Sequence, residues 1–393
     1  MGQSFQELIL ARLLATLTFL LVAVQVCAGQ QVDIYRAEAL VTSQQASERA
    51  TAARGGLREV MIRVSGDRAA ADHPTIASAI RQAQNYLHEF SYASTDKRIE
   101  SDTGSLPATL LIMKFSPAGI EQLLRDAGLP LWPANRPKLM VWIISEDNQG
   151  AQHRVPDEPA LQAIYAQAAV RGLPLLFPLQ DFEDTIALPS ELLSELDEDA
   201  IRSASERYKP DAILAGKLSQ APDGQWQSSW LLMQSNDVQP VNGSGADLAA
   251  QISSAIDYSA DQFARQYAIV PRAGNADPDV VVLRINDVAD FADFKQVQRY
   301  FEGMAMVKHF ELLQAEGNRL TVQLQIEGDL TLLSSTLELG KKLFPVASVS
   351  IETPFMAVAS QPGELSADPV AAPSASIIGS GSRDNPLTYR WAD

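Results

Sequence analysis

The sequence predicts a mixed α+β and α/β protein built as three small domains in series. Three observations carry this expectation. "LMVWIIS" at 139–145 is a continuous apolar run of strand length, set between stretches of helical periodicity, as in a strand buried on both faces. Leu320, Val322, Leu324 and Ile326 alternate strictly, while Phe291, Phe294, Val297 and Phe301 form a helical stripe. Chain breaks near Pro133 and in "VPRAGNADPD" divide these patterns from one another. The divisions that follow are a signal peptide at 1–28, an N-terminal α+β domain at 29–132 and a middle α/β domain at 133–270. A ferredoxin-like domain follows at 279–353, and a disordered tail at 354–393.

In the first domain a strand is expected over 32–42, and a helix follows in which Ala46, Ala50, Ala53, Leu57, Val60 and Val64 recur at helical spacing up to "VSGDR". A second helix is expected from 75 to 87, then the strands "HEFSYAST" and "PATLLIMKF". "PAGIEQLLRDAG" opens on proline and closes on glycine, the punctuation of a short helix. The middle domain alternates strand 139–145, helix 158–171, "LPLLFP", helix 190–208 and "DAILAGKLSQ", which implies a sheet covered by helices. "PDG" then turns the chain into "QWQSSWLLMQ" as an antiparallel hairpin, and an amphipathic helix closes the unit over 246–267. The third domain reads strand 280–285, helix 290–303, strands 306–315 and 319–327, helix 329–342 and strand 345–351. This βαββαβ order is that of a ferredoxin-like unit. Beyond Thr353, Pro, Ala, Ser and Gly dominate, as in disordered chain.

The N-terminus carries the parts of an export signal: Arg12, an apolar core from Leu13 to Val26, and Val26-Cys27-Ala28 ahead of a cut that would leave Gly29 first. The core is shorter than the roughly 20 residues that span a bilayer, so the mature chain is expected to have no transmembrane segment. Lipid anchoring at Cys27 is the alternative. Gln25 and Val26 stand where such a signal places small residues, so soluble export to the periplasm is preferred.

The formal charge of -17 is spread along 393 residues with no block of Lys or Arg, which argues against nucleic acid and anionic membrane surfaces as partners. The four histidines lie far apart without the spacing of a metal site, so no metal or cofactor is expected. The two "GSG" triplets, at 243–245 and 379–381, lack the strand–turn–helix context of a dinucleotide loop and read as turn or linker glycines. Ser94 and Lys97 share the S-x-x-K spacing of penicillin-recognising serine enzymes, but no K-T-G follows. Residues 181–199 hold eight carboxylates and neither Lys nor Arg, which fits the first turns of helices better than a calcium loop.

The aromatic residues Trp226 and Trp230 share one strand face by parity, and Tyr389 and Trp391 stand out in the polar C-terminal segment. These four are the candidate partner-binding residues. Core packing is the competing reading for the tryptophan pair, and the catalytic residues are unknown.

"YRAEALVTSQQASERATAARGGLREVMIRVSGD", "LWPANRPKLMVWIISED", "GLPLLFPLQDFED" and "YKPDAILAGKLSQAPDGQWQSSWLLMQ" together resemble the domain-of-unknown-function family 2066, exported proteins of Gram-negative bacteria. The resemblance implies an envelope location and supplies no catalytic residue. The middle segment is also distantly similar to curli-secretion-type lipoproteins and to the N-terminal domain of the Tol translocation protein, which act by binding envelope partners. The expected function is therefore a non-enzymatic interaction or accessory module of the periplasm with an envelope protein as partner. The alternative is an envelope hydrolase or ligand-binding protein using carboxylates in an interdomain cleft; the oligomeric state is left open.

Overall fold

The computed structural model describes residues 32–101, 104–146, 152–153, 158–235, 237–271, 279–346 and 379–392. The signal segment with Cys27, most of the linker at 272–278 and residues 347–378 lie outside the described residues. The fold is mixed α+β, with three sheets and ten α-helices among the described residues.

In the first sheet β1 (Arg36–Val41) and β2 (Leu87–Ser101) flank β3 (Gly104–Phe115), all antiparallel. Helix α1 (Ala46–Ser65) packs on it, burying Ala53, Leu57, Val60 and Val64 of the stripe read from helical spacing, with Met61 beside them, while Ala46 is exposed and Ala50 half-buried. Gly66 ends α1 in the left-handed region at φ 74, a conformation open to glycine at no steric cost. The second helix is shorter than predicted: α2 (Pro74–Arg81) gives way to a 3-10 turn at Ala83–Tyr86. In α3 (Pro117–Ala127) the Ser116 hydroxyl accepts from the Gly119 N–H and Gly128 closes the last turn.

The middle sheet has the order β5-β4-β7-β8-β9, with β6 also beside β4. Strand β4 (Leu139–Glu146) runs antiparallel to β5 (Gln152–His153) and parallel to both β6 (Leu175–Leu176) and β7 (Ala212–Gln220). Its six apolar residues are all buried because alternate ones enter two different cores. One core holds residues of α4 (Glu158–Arg171) and α8 (Leu248–Tyr267). The other lies under α6 (Ser190–Glu195) and α7 (Glu198–Ser205), with Leu188 just past α5 (Phe182–Ala187) at its margin. The single helix expected over 190–208 is thus broken. Leu196 adopts φ 55, and the Asp197 carboxylate caps a new helix by accepting from the Ala200 N–H.

Strand β8 (Trp226–Gln234) makes the predicted hairpin with β7, and a further strand, β9 (Asp237–Gly245), extends it. That strand contains the first "GSG", read from sequence as turn or linker. Its glycines sit beneath Gln251 of α8: a Cβ at Gly243 would stand 2.3 Å from the Gln251 Oε1.

In the third sheet, β10 (Asp279–Asn286) and β11 (Val307–Glu316) both lie antiparallel to β12 (Arg319–Ile326) between them. Helices α9 (Phe291–Glu302) and α10 (Leu330–Gly340) follow β10 and β12, and β13 (Leu343–Pro345) is only three residues long. The expected tail is where the structure departs most. Residues Leu387–Trp391 form β14, which enters the sheet parallel to β10 and antiparallel to β13. The order β11-β12-β10-β14-β13 is therefore not the four-stranded ferredoxin-like sheet expected, since β14 separates β10 from β13. Leu387, Tyr389 and Trp391 alternate inward, and burying these side chains repays the ordering of a short strand. From Asp33 onward the chain forms one compact unit. Among the described residues, no helix is long and apolar enough to cross a membrane.

Candidate functional site

The four aromatic residues expected to meet a partner face inward instead. Trp226 and Trp230 do share one face of β8, but that face packs on the core beneath α8, with Trp230 only 2% exposed and Trp226 half-buried. Tyr389 and Trp391 are 1% and 6% exposed in the core of the third sheet. An indole or phenol in such a position contributes packing and leaves no exposed platform.

A cleft of about 800 Å³ opens where the turn after α1 meets α8, lined by Ser65 to Ala69, Asp72, Asp261 and Arg265 among others. At its base Arg171, fully buried at the end of α4, donates to Asp257 Oδ1 at 2.8 Å, Asp261 Oδ1 at 2.7 Å and the Gly66 carbonyl at 2.8 Å. Arg68 reaches the other oxygens of the same two aspartates, at 3.7 and 3.0 Å. Both oxygens of each carboxylate are thereby engaged by guanidinium groups, so the pair acts as a clamp between α4, α8 and the end of α1.

Beside it Arg136 donates to the carbonyls of Arg171 and Gly172 at the end of α4, and of Arg63 at the end of α1. One cation thus caps the C-termini of two helices. Burial, with Arg63 and Arg171 nearby, holds its pKa well below the ordinary arginine value. In sequence, Arg136, Arg171, Asp257 and Asp261 had no signal beyond charge at helix ends and faces.

The acidic stretch contains a different arrangement. Asp184 of α5 is fully buried, accepting from the Tyr208 hydroxyl at 2.8 and 2.7 Å, from Arg207 Nη1 at 3.1 Å and from the Gln180 N–H at 2.8 Å. Tyr208 in turn accepts from the Leu179 N–H at 3.0 Å, and its ring packs edge-on to Trp142 in the core. Burial, and then the bond to Asp184, raise the Tyr208 pKa and keep its hydroxyl a donor.

With the carboxylate pulled inward, the apolar side chains of the same turn point out. Leu179 is 71% exposed, Phe182 80% and Ile186 63%. Only Leu188 of this turn's apolar residues is buried one helical turn beyond Asp184. The one buried residue of α5 is thus polar, while Phe182 and Ile186 stand in water beside Glu183 and Thr185, unlike a surface helix whose apolar side packs on a core. Phe177, two residues before Leu179, extends the apolar surface to Tyr165, the two ring centroids lying 5.3 Å apart.

Asp181 caps α5 through the Asp184 N–H at 2.9 Å and binds Arg207 through both oxygens at 3.0 Å. Arg207 first, and the Asp184 N–H next, lower the Asp181 pKa from 3.8. Its contribution to stability is fully present above about pH 4 and is lost as pH falls through the depressed folded value. Amide exchange of residues 181–187, corrected for intrinsic rate, is therefore expected to rise below pH 4 in the wild type. Asp181→Ala should show the faster exchange already at neutral pH; equal pH profiles would remove Asp181 as the cap that holds α5.

Among the described residues no group of three or more His, Cys, Asp and Glu converges as a metal site.

Residues 28–133 match a family model described as Domain of unknown function (DUF8605). This overturns the resemblance to family 2066, and nothing found supports similarity to curli-secretion-type lipoproteins or to the Tol domain. No curated protein matches the chain. Among solved structures, a competence-damaged protein (CinA) superfamily protein from Enterobacter cloacae is 11% identical, with a TM-score of 0.20 over 36% of this chain and 84% of that one. A competence or damage-inducible protein from Enterobacter asburiae is 10% identical, with a TM-score of 0.20 over 38% of this chain and 93% of that one. Likeness at that level carries no argument about fold or activity.

Proposed function

We propose that this chain is an exported, non-enzymatic docking protein of the Gram-negative cell envelope that holds a partner protein against α5. The observation that carries the reading is the exposure of apolar side chains around the buried Asp184. Leaving Leu179, Phe182 and Ile186 in water forgoes roughly 1.5–3 kcal/mol for each side chain that could be covered, and the buried Asp184 anchor keeps them there. A patch fixed outward in this way gains its stabilisation when a partner excludes water from it. Export is supported by the apolar core from Leu13 to Val26 and the small residue Ala28. The third sheet is read as a ferredoxin-like βαββαβ unit with β14 added, since β10, β12 and β11 keep that unit's order and directions.

The test is a photo-crosslinking residue placed at Phe182, with exposed Glu316 on β11 as the control position, in fractionated Gram-negative cells. A discrete adduct from position 182 alone, on a periplasmic protein starting at Gly29, is the expected result. Equal labelling from both positions would overturn the docking site, and a chain recovered in the cytoplasm with its first 28 residues intact would overturn export.

A further inference from the structure

From the acids on the helices next to the α5 patch we infer the chemistry of its partner: an apolar segment flanked by Lys and Arg. The inference rests on the docking reading above and goes one step beyond it. Between 173 and 201 the chain holds eight carboxylates and no Lys or Arg. Asp184 is committed to the anchor, Asp181 and Glu183 bind Arg207, and Asp197 caps α7. Glu191, Glu195, Glu198 and Asp199 are exposed and have no ion-pair partner among the described residues. They lie on α6 and α7, and α7 packs against both α5 and α6. The apolar patch of α5 is thus neighboured by two helices that carry unpaired negative charge.

Charge complementarity decides among occupants. A second copy of the chain would bring the same acids to the same patch, and an anionic lipid surface would bring more negative charge; like charges across an interface oppose both. A polypeptide with apolar residues at its centre and cations around them meets the patch and these carboxylates together. The unpaired carboxylates add only modestly to the fold, since exposed charges at helix ends contribute roughly 0.3–1 kcal/mol each. They act on a binding partner through association rate and salt dependence.

The experiment uses the mature chain and two labelled synthetic amphipathic helices, identical in their leucine face and carrying either Lys or Glu opposite it. Fluorescence anisotropy is expected to show the Lys peptide binding on the order of tenfold tighter at low salt, with the gap closing at high salt. The triple variant Glu191→Gln, Glu195→Gln, Glu198→Gln should narrow the gap while circular dichroism stays unchanged. Phe182→Asp with Ile186→Asp should abolish binding of the Lys peptide.

If both peptides bind alike, without salt dependence, and the Phe182/Ile186 variant still abolishes binding, the cationic partner falls and the docking site stands. If that variant leaves binding of the Lys peptide unchanged, the docking site falls as well. A wild-type dimer in sedimentation that Phe182→Asp dissociates would assign the patch to a second copy and overturn the inference.

Discussion

Arg171→Leu is expected to destabilise the protein by about 3–5 kcal/mol, the cost of removing one partner from a buried ion pair. The Arg171 side chain is fully buried, while those of Asp257 and Asp261 are only 15% and 20% exposed. Leucine fills much of the volume but leaves these two carboxylates beside one another with Arg68, whose side chain is 60% exposed and whose contact to Asp257 is 3.7 Å long. The Gly66 carbonyl at the end of α1 loses its donor as well. Because the three acceptors come from α8 and the turn after α1, one substitution loosens the first sheet and the middle sheet together. Urea denaturation measures the loss as a lower midpoint at unchanged slope. Adding Asp257→Asn and Asp261→Asn to Arg171→Leu should recover part of it, because the uncompensated charge is then gone. A loss below about 1 kcal/mol would mean that Arg68, with the Gln167 amide that donates to Asp257 Oδ1 at 2.8 Å, satisfies the pair, and that the clamp is a surface interaction of ordinary size.

What could be read from the sequence follows from how local each signal is. Leu320, Val322, Leu324 and Ile326 alternate, and all four are buried, because a strand with one core face repeats every two residues whatever lies across from it. The stripe on α1, with its helical repeat, and the unbroken run in β4, buried on both faces, were equally local signals. Strand β14 carried the same period in Leu387, Tyr389 and Trp391, but its five residues follow a Gly-, Ser- and Pro-rich stretch. Its pairing with β10 is a contact across about a hundred positions, which composition does not reveal.

The candidate site was hidden by the usual rule for apolar residues. Phe182 and Ile186 stand one turn apart and would be assigned inward by periodicity. What reverses them is Asp184, whose partners Arg207 and Tyr208 come from a turn 23 and 24 residues further on. The acids of 181–199 were visible as a cluster. That one of them would be buried while its apolar neighbours stayed exposed depends on that long-range anchor.

Gly216→Ala should cost more than its single methyl group suggests, about 3 kcal/mol or above, near the upper end for an overpacked core. Gly216 of β7 is the register partner of Trp230 on β8, and the indole lies across the space where a side chain would be. A Cβ at Gly216 would stand 2.1 Å from Trp230 Cε3 and 2.2 Å from Cζ3. Neither side can yield easily, since Gly216 belongs to a ladder between β4 and β8 and Trp230 is 2% exposed. The indole would have to leave its rotamer and displace the core under α8. Trp230→Leu alone removes ring volume and is expected to cost roughly 2–4 kcal/mol through the cavity it leaves. In the double variant the added methyl occupies part of that cavity, so the combined loss should be smaller than the sum of the two by at least about 1 kcal/mol. Midpoints from urea unfolding of the four proteins close this cycle. Additive losses would show that the backbone of β7 shifts to admit the methyl independently of Trp230, and that the glycine is not there to make room for the indole.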